Sequence, residues 1–114
     1  MRAGSDIVGE ELVYVCRASD VRDDVPAKAR IGAEDVAVFK LGDRYFITQN
    51  ICSHGPGELS DGYVEGDEIE CPFHQGRFKI ATGQPSAPPC TVPLKTWAAE
   101  QRDGNIYASP SARA

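Results

Sequence analysis

Two residue pairs in this chain have the types and spacing of metal ligands: Cys52-Ser53-His54 and Cys71-Pro72-Phe73-His74. The spacer between them runs from Gly55 to Glu70, sixteen residues, and His54 and His74 are the only histidines in the sequence. Thiolates and imidazoles together select zinc, copper or iron–sulfur clusters over calcium and magnesium. Small zinc fingers usually take their ligands as Cys-Cys and His-His pairs. Here each pair mixes a thiolate with an imidazole, and a single residue separates Cys52 from His54. That suits a cofactor of two metal atoms, with Cys52 and His54 reaching different atoms from one tight loop. A [2Fe–2S] cluster held by two Cys and two His uses all four residues. A structural zinc site is the alternative.

Ligands need rigid elements to aim them, and the flanking sequence reads as short strands. Leu12-Val13-Tyr14-Val15-Cys16 is a β-rich run, residues 19–24 form a turn or one helical turn ended by Pro26, and residues 27–31 lead into the sheet. Residues 35–40 and 44–48 are β-rich and joined by Leu41-Gly42-Asp43, a hairpin signal. The second hairpin strand delivers the chain through Gln49-Asn50-Ile51 to Cys52, which places that residue at the end of a rigid strand. The spacer is turn chemistry, rich in Gly and Asp, and its glycines let backbone amides approach metal-bound sulfurs. Residues 68–71 alternate as a strand into the second ligand loop, and residues 76–80 alternate out of it. The two loops are therefore expected as the tips of a small β-unit inserted into a larger one. A turn at residues 81–84, an extended loop at 85–89, one strand over 94–100, and a turn at Asp103-Gly104 into Asn105-Ile106-Tyr107 complete the chain. Residues 108–114 read as a frayed tail.

Composition bounds the function. At 114 residues the chain is one domain, with 41% hydrophobic and 25% charged residues, ordinary for a globular protein. A net charge of −5 argues against nucleic acid or an anionic membrane as partner. No apolar run reaches the length of a signal peptide or a membrane span, so the expected location is the cytoplasm. Cytosolic chains rarely keep disulfides, so Cys16 and Cys90 are expected as free thiols, Cys16 buried; a Cys16–Cys90 bridge is the alternative.

Beyond the four ligand candidates, Ser60-Asp61-Gly62-Tyr63-Val64-Glu65-Gly66, Cys71-Pro72-Phe73-His74-Gln75-Gly76-Arg77-Phe78, Thr82-Gly83 and Ala87-Pro88-Pro89 resemble the Rieske-type ferredoxins that serve bacterial aromatic-ring-hydroxylating dioxygenases. The likeness runs from about residue 12 to 107. It implies an all-β Rieske fold, an antiparallel sandwich or barrel base with a small inserted cluster-binding subdomain at about residues 50–90. It further implies one [2Fe–2S] cluster, with Cys52 and Cys71 on one iron and His54 and His74 on the other, the imidazoles toward solvent. Gly55, Gly57, Phe73, Gln75, Gly76 and Pro88 would surround it, the Pro88-Pro89 loop covering a third side. The implied role is a soluble one-electron carrier between a flavin-dependent ferredoxin reductase and a terminal Rieske oxygenase. Such a carrier has no catalytic site, small-molecule substrate, nucleic acid or membrane of its own.

Rieske proteins of respiratory complexes differ in informative ways. They carry an extra cysteine in each ligand loop and a serine after the second histidine, where this chain has Gly57, Phe73 and Gln75. Without that hydroxyl donor the reduced cluster is less stabilised, so the expected potential lies at the low end of the Rieske range, roughly −150 mV. Glu65, Asp67, Glu68 and Glu70 could steer a basic partner, and Phe78 and Trp97 are expected in the core. A nitrite-reductase small subunit is the other reading of the fold, although many of those lack the ligands that this chain keeps.

Overall fold

In a computed structural model of the chain, residues 11–53, 57–73 and 75–113 are described. The element that divides them is β3 (Glu34–Leu41), in which Val36, Ala37, Val38 and Phe39 are all buried. A continuous apolar run of this kind belongs to a strand covered on both faces. Successive side chains point to opposite faces, so Val36 and Val38 enter one core with Val15, Ile31, Ile47 and Trp97. Ala37 and Phe39 enter a second core, with Leu59, Ile69, Phe78 and three cysteines, Cys52, Cys71 and Cys90.

The first core lies between two antiparallel sheets. One has the order β1 (Val13–Arg17), β11 (Asn105–Ala108), β10 (Ala99–Arg102), and the other has the order β2 (Ala27–Ile31), β3, β4 (Arg44–Gln49), β9 (Thr96–Trp97). The predicted hairpin is present: Leu41 pairs with Arg44, leaving Gly42 and Asp43 as a two-residue loop. Gly42 has φ +65°, a conformation for which glycine has no steric penalty. Cys16 is buried in this core, where desolvation, helped by Asp20, pushes its thiol up to about 11. No disulfide joins the four cysteines, and Cys16 and Cys90 sit in different cores.

The second core is closed by a third antiparallel sheet, β5 (Tyr63–Glu65), β6 (Glu68–Glu70), β7 (Arg77–Lys79) and β8 (Pro85–Ala87). All four of its strands fall between β4 and β9, which pair directly with each other through Ile47–Trp97 and Thr48–Thr96. Phe78 and Trp97 are buried, as expected of core residues.

Three details differ from the sequence reading. The spacer holds a 3-10 turn, Leu59–Asp61, and the strand β5, which pairs with β6 around Gly66 at φ +63°. The density of Gly and Asp there masks a three-residue strand. Residues 94–100 form not one strand but two: β9 belongs to the second sheet and β10 to the first, with Ala98 between them. Neither Gly nor Pro marks that switch. Past β11, Ser109 is buried and the Arg113 N–H donates to Thr96 O at 2.6 Å, an attachment foreign to a frayed tail.

Among the described residues no helix is long and apolar enough to cross a membrane.

Candidate metal centre

The two ligand loops are closed the same way. The Cys52 N–H donates to Gly57 O at 2.8 Å, and the Cys71 N–H donates to Gly76 O at 2.8 Å. In each case a cysteine is tied to the glycine five residues on, so both sulfurs start from a fixed backbone. His54, Gly55 and His74 lie outside the described residues.

Asn50 anchors the first loop to the scaffold. It is fully buried just after β4, and its own N–H donates to Asp35 O at 2.9 Å. Its side chain accepts from the Ser60 N–H at 2.8 Å and donates to Glu58 Oε1 at 3.1 Å, while its carbonyl accepts from the Leu59 N–H at 2.7 Å. One residue thus spans the base of the loop from both sides. Local sequence gave no sign of this role, because every partner except Asp35 lies eight to ten residues onward.

Both cysteines are buried, Cys52 at 4% and Cys71 at 1% exposure. The Cys71 thiol is pushed up chiefly by desolvation, with the neighbouring Cys52 thiol adding to it. The Phe73 backbone N–H, which donates to the Cys71 sulfur, pulls the other way. That amide favours the charged form of the sulfur. Two thiolates at tetrahedral corners of one metal lie roughly 3.8 Å apart, and Cys52 and Cys71 are within side-chain hydrogen-bonding reach of each other. The donor set therefore fits a single thiophilic metal atom shared by the two.

The glycines near these sulfurs leave no room for a side chain. A β-carbon on Gly57 would lie 2.8 Å from Cys71 Sγ and 3.2 Å from Phe73 Cδ1. One on Gly76 would lie 2.2 Å from Cys90 Sγ. Gln75, just before it, has φ +60° and so holds the left-handed conformation without being glycine.

Cys90 is a residue that sequence reasoning read as a free thiol, or alternatively as bridged to Cys16, with no part in the site. The Cys90 N–H donates to Ala87 O at 3.3 Å across Pro88-Pro89, and this turn drops the side chain into the second core. There it meets Cys52 within hydrogen-bonding reach; burial first, and then the Cys52 neighbour, push its thiol up to about 12. Pro88 itself is exposed. The same loop is tied to the first ligand loop by the Ser53 hydroxyl, which donates to Val92 O at 2.6 Å. The only advance signal was position in the loop after β8, since no Cys-x-x-Cys spacing links Cys90 to Cys71.

Around the site, Ile51, Phe73 and Val92 are exposed at 43%, 55% and 55%, one from each of the three loops. The acidic residues of the third sheet are largely paired within it. Arg77 bridges Glu65, Glu68 and Glu70, and Lys79 bridges Asp67 and Glu68. Their capacity to steer a partner is reduced accordingly.

The Rieske [2Fe-2S] domain family matches residues 11–98. The chain belongs to that family. Among its Rieske relatives, the ferredoxin CarAc of Metapseudomonas resinovorans is 43% identical over 96 residues, covering 83% of this chain and 90% of the relative. The anthranilate 1,2-dioxygenase ferredoxin subunit of Burkholderia cepacia is 42% identical over 84 residues, covering 74% and 78%. A solved complex of reduced oxygenase and oxidized ferredoxin in carbazole 1,9a-dioxygenase contains a chain that superposes with a TM-score of 0.83 at 38% identity, covering 93% of this chain and 99% of that one. The all-β Rieske fold expected from sequence is the fold observed.

Proposed function

We propose that this Rieske protein is the one-electron carrier of a multicomponent aromatic-ring dioxygenase, taking electrons from a flavin-dependent reductase and giving them to a terminal Rieske oxygenase. Its own residues assigned to the [2Fe–2S] cluster are Cys52 and Cys71 on one iron and His54 and His74 on the other. The observation that carries the reading is the pair of buried, mutually contacting thiols, Cys52 and Cys71, each held by the same cysteine-to-glycine loop closure. Relatives named as dioxygenase ferredoxins supply the system it serves.

The bound cluster supplies one-electron redox chemistry at a potential set by its ligands, hydrogen bonds and exposure. The chain does the rest. Phe39, Leu59 and Phe78 keep the inner side of the site dry. The Phe73 amide stabilises negative charge on the Cys71 sulfur. Ile51, Phe73 and Val92 form an apolar rim suited to a small, quickly released contact, below about 1,200 Å². The chain carries electrons and performs no reaction of its own.

The test is the visible absorption and low-temperature EPR of protein purified without air, before and after dithionite, followed by reconstitution with a reductase and a terminal oxygenase. A red-brown protein that becomes EPR-active on reduction, with an average g below that of an all-cysteine cluster, and that supports oxygenase turnover is the expected result. Colourless protein with stoichiometric zinc, after iron and sulfide reconstitution has also failed, overturns it.

A further inference from the structure

We infer that Cys90 is a positioning residue for the cluster, its thiol donating an S–H hydrogen bond to the Cys52 sulfur and so raising the reduction potential. The inference rests on the assignment of Cys52 as a cluster ligand. Three observations lead to it. Cys90 is buried in the same core as Cys52 and Cys71, and its side chain lies within hydrogen-bonding reach of Cys52. Its sulfur is pressed against Gly76, the glycine that closes the second ligand loop, with no room between them for even one carbon atom. Its own loop is latched to the first ligand loop by Ser53 and Val92. Cys90 therefore sits against both ligand loops from the third side.

A thiol is protonated at neutral pH and is a weak donor. A metal-bound thiolate is an acceptor whose negative charge grows when the cluster takes up an electron. In that reduction one electron enters from an external donor, no bond to Cys90 forms or breaks, and the proton stays on the Cys90 sulfur. A donor aimed at Cys52 favours the reduced state, as hydrogen bonds to cluster sulfurs do generally.

The experiment is redox titration, followed by EPR, of the loaded wild-type protein and the variants Cys90→Ser, Cys90→Ala and Cys90→Val. Serine keeps a donor and loses the sulfur; alanine loses the donor and opens space; valine loses the donor and keeps the space filled. Removing one such hydrogen bond should disfavour reduction by about threefold to tenfold, or about 28 to 59 mV at 59 mV per tenfold for one electron. The expected result is a lower potential in Cys90→Ala and Cys90→Val, with Cys90→Ser at or above the wild type. A shared potential for the serine and valine variants overturns the inference. Should Cys90→Ala fail to assemble, that serine–valine pair decides. Wild-type protein without a mixed-ligand [2Fe–2S] spectrum instead removes the functional reading beneath it, an outcome visible before any variant is titrated.

Discussion

The glycine that closes one ligand loop is seated on the cysteine of the other: a β-carbon at Gly57 would stand 2.8 Å from Cys71 Sγ. Real β-carbons essentially never come so close. Gly57→Ala must therefore displace either the loop or the Cys71 side chain, and Phe73 blocks the other direction. Neither Gly57 nor Cys71 belongs to a strand of the base sheets. We expect Gly57→Ala to keep its far-UV circular dichroism while iron and acid-labile sulfide per chain fall to less than half. Full cluster loading at the wild-type potential would show that the loops give way cheaply.

Asn50 supplies a separate prediction about stability. Asn50→Ala leaves the half-buried Ser60 N–H without its acceptor and removes the link to Glu58. A lost partner of that kind costs about 1–3 kcal/mol. Urea unfolding should show this loss with an unchanged m-value, and the first ligand loop should become the earliest region to exchange its amide protons.

The pair Lys28–Glu58, 2.9 Å apart, makes the Asn50–Glu58 attachment of the first ligand loop pH-sensitive. The hydrogen bond from Lys28 holds the Glu58 carboxyl below its ordinary value of 4.5 and, reciprocally, raises Lys28 above 10.5. A depressed carboxyl contributes stability that is present above its unfolded value and lost as pH falls through the folded one. The raised lysine contributes below its unfolded value and loses that contribution as pH rises through the folded one. Thermal midpoints of wild type and Glu58→Gln should differ near neutrality and converge on acidification below the ordinary carboxylate range. A difference that persists in strong acid would assign the effect to the Asn50 contact instead.

Docking should depend on the apolar rim more than on the acidic sheet. Phe73 is exposed beside the second ligand loop, whereas Glu65 is engaged by Arg77 at 2.7 Å. We expect Phe73→Ala to slow electron transfer to a terminal oxygenase by about tenfold, the size of a modest interface hot spot. Glu65→Gln should change it by less than about twofold, as rim charges do when already paired. Stopped-flow reduction of the oxygenase by the pre-reduced protein measures both.

Much of this molecule could be read before it was seen, for physical reasons that apply residue by residue. Gly42-Asp43 between two β-rich runs encodes a hairpin locally, and the Cys52/His54 and Cys71/His74 spacings mark the proposed mixed-ligand site locally, of which the described residues include the two cysteines. Cys90 could not be read this way, because its approach to Cys52 depends on a turn after β8 and on the packing of a third loop. Asn50 looked like a connector, and its burial became visible only once Leu59 and Ser60 folded back on it. The switch of sheets at Ala98 carries no punctuation at all, since an alanine in extended conformation serves equally well within a strand or between two.

The third sheet and all three loops enter and leave the base at a single doorway. There the Gln49 N–H donates to Lys95 O at 2.9 Å and the Lys95 N–H donates to Gln49 Oε1 at 2.7 Å. Entry and exit are thus one strand spacing apart and already stapled. The redox unit is a cassette on a neighbouring strand pair, and its socket also includes the Ala37 and Phe39 face of β3, which a short turn from β4 to β9 would leave uncovered. A host for this segment must therefore offer an apolar strand face like that of Ala37 and Phe39 as well as the gap between two antiparallel strands.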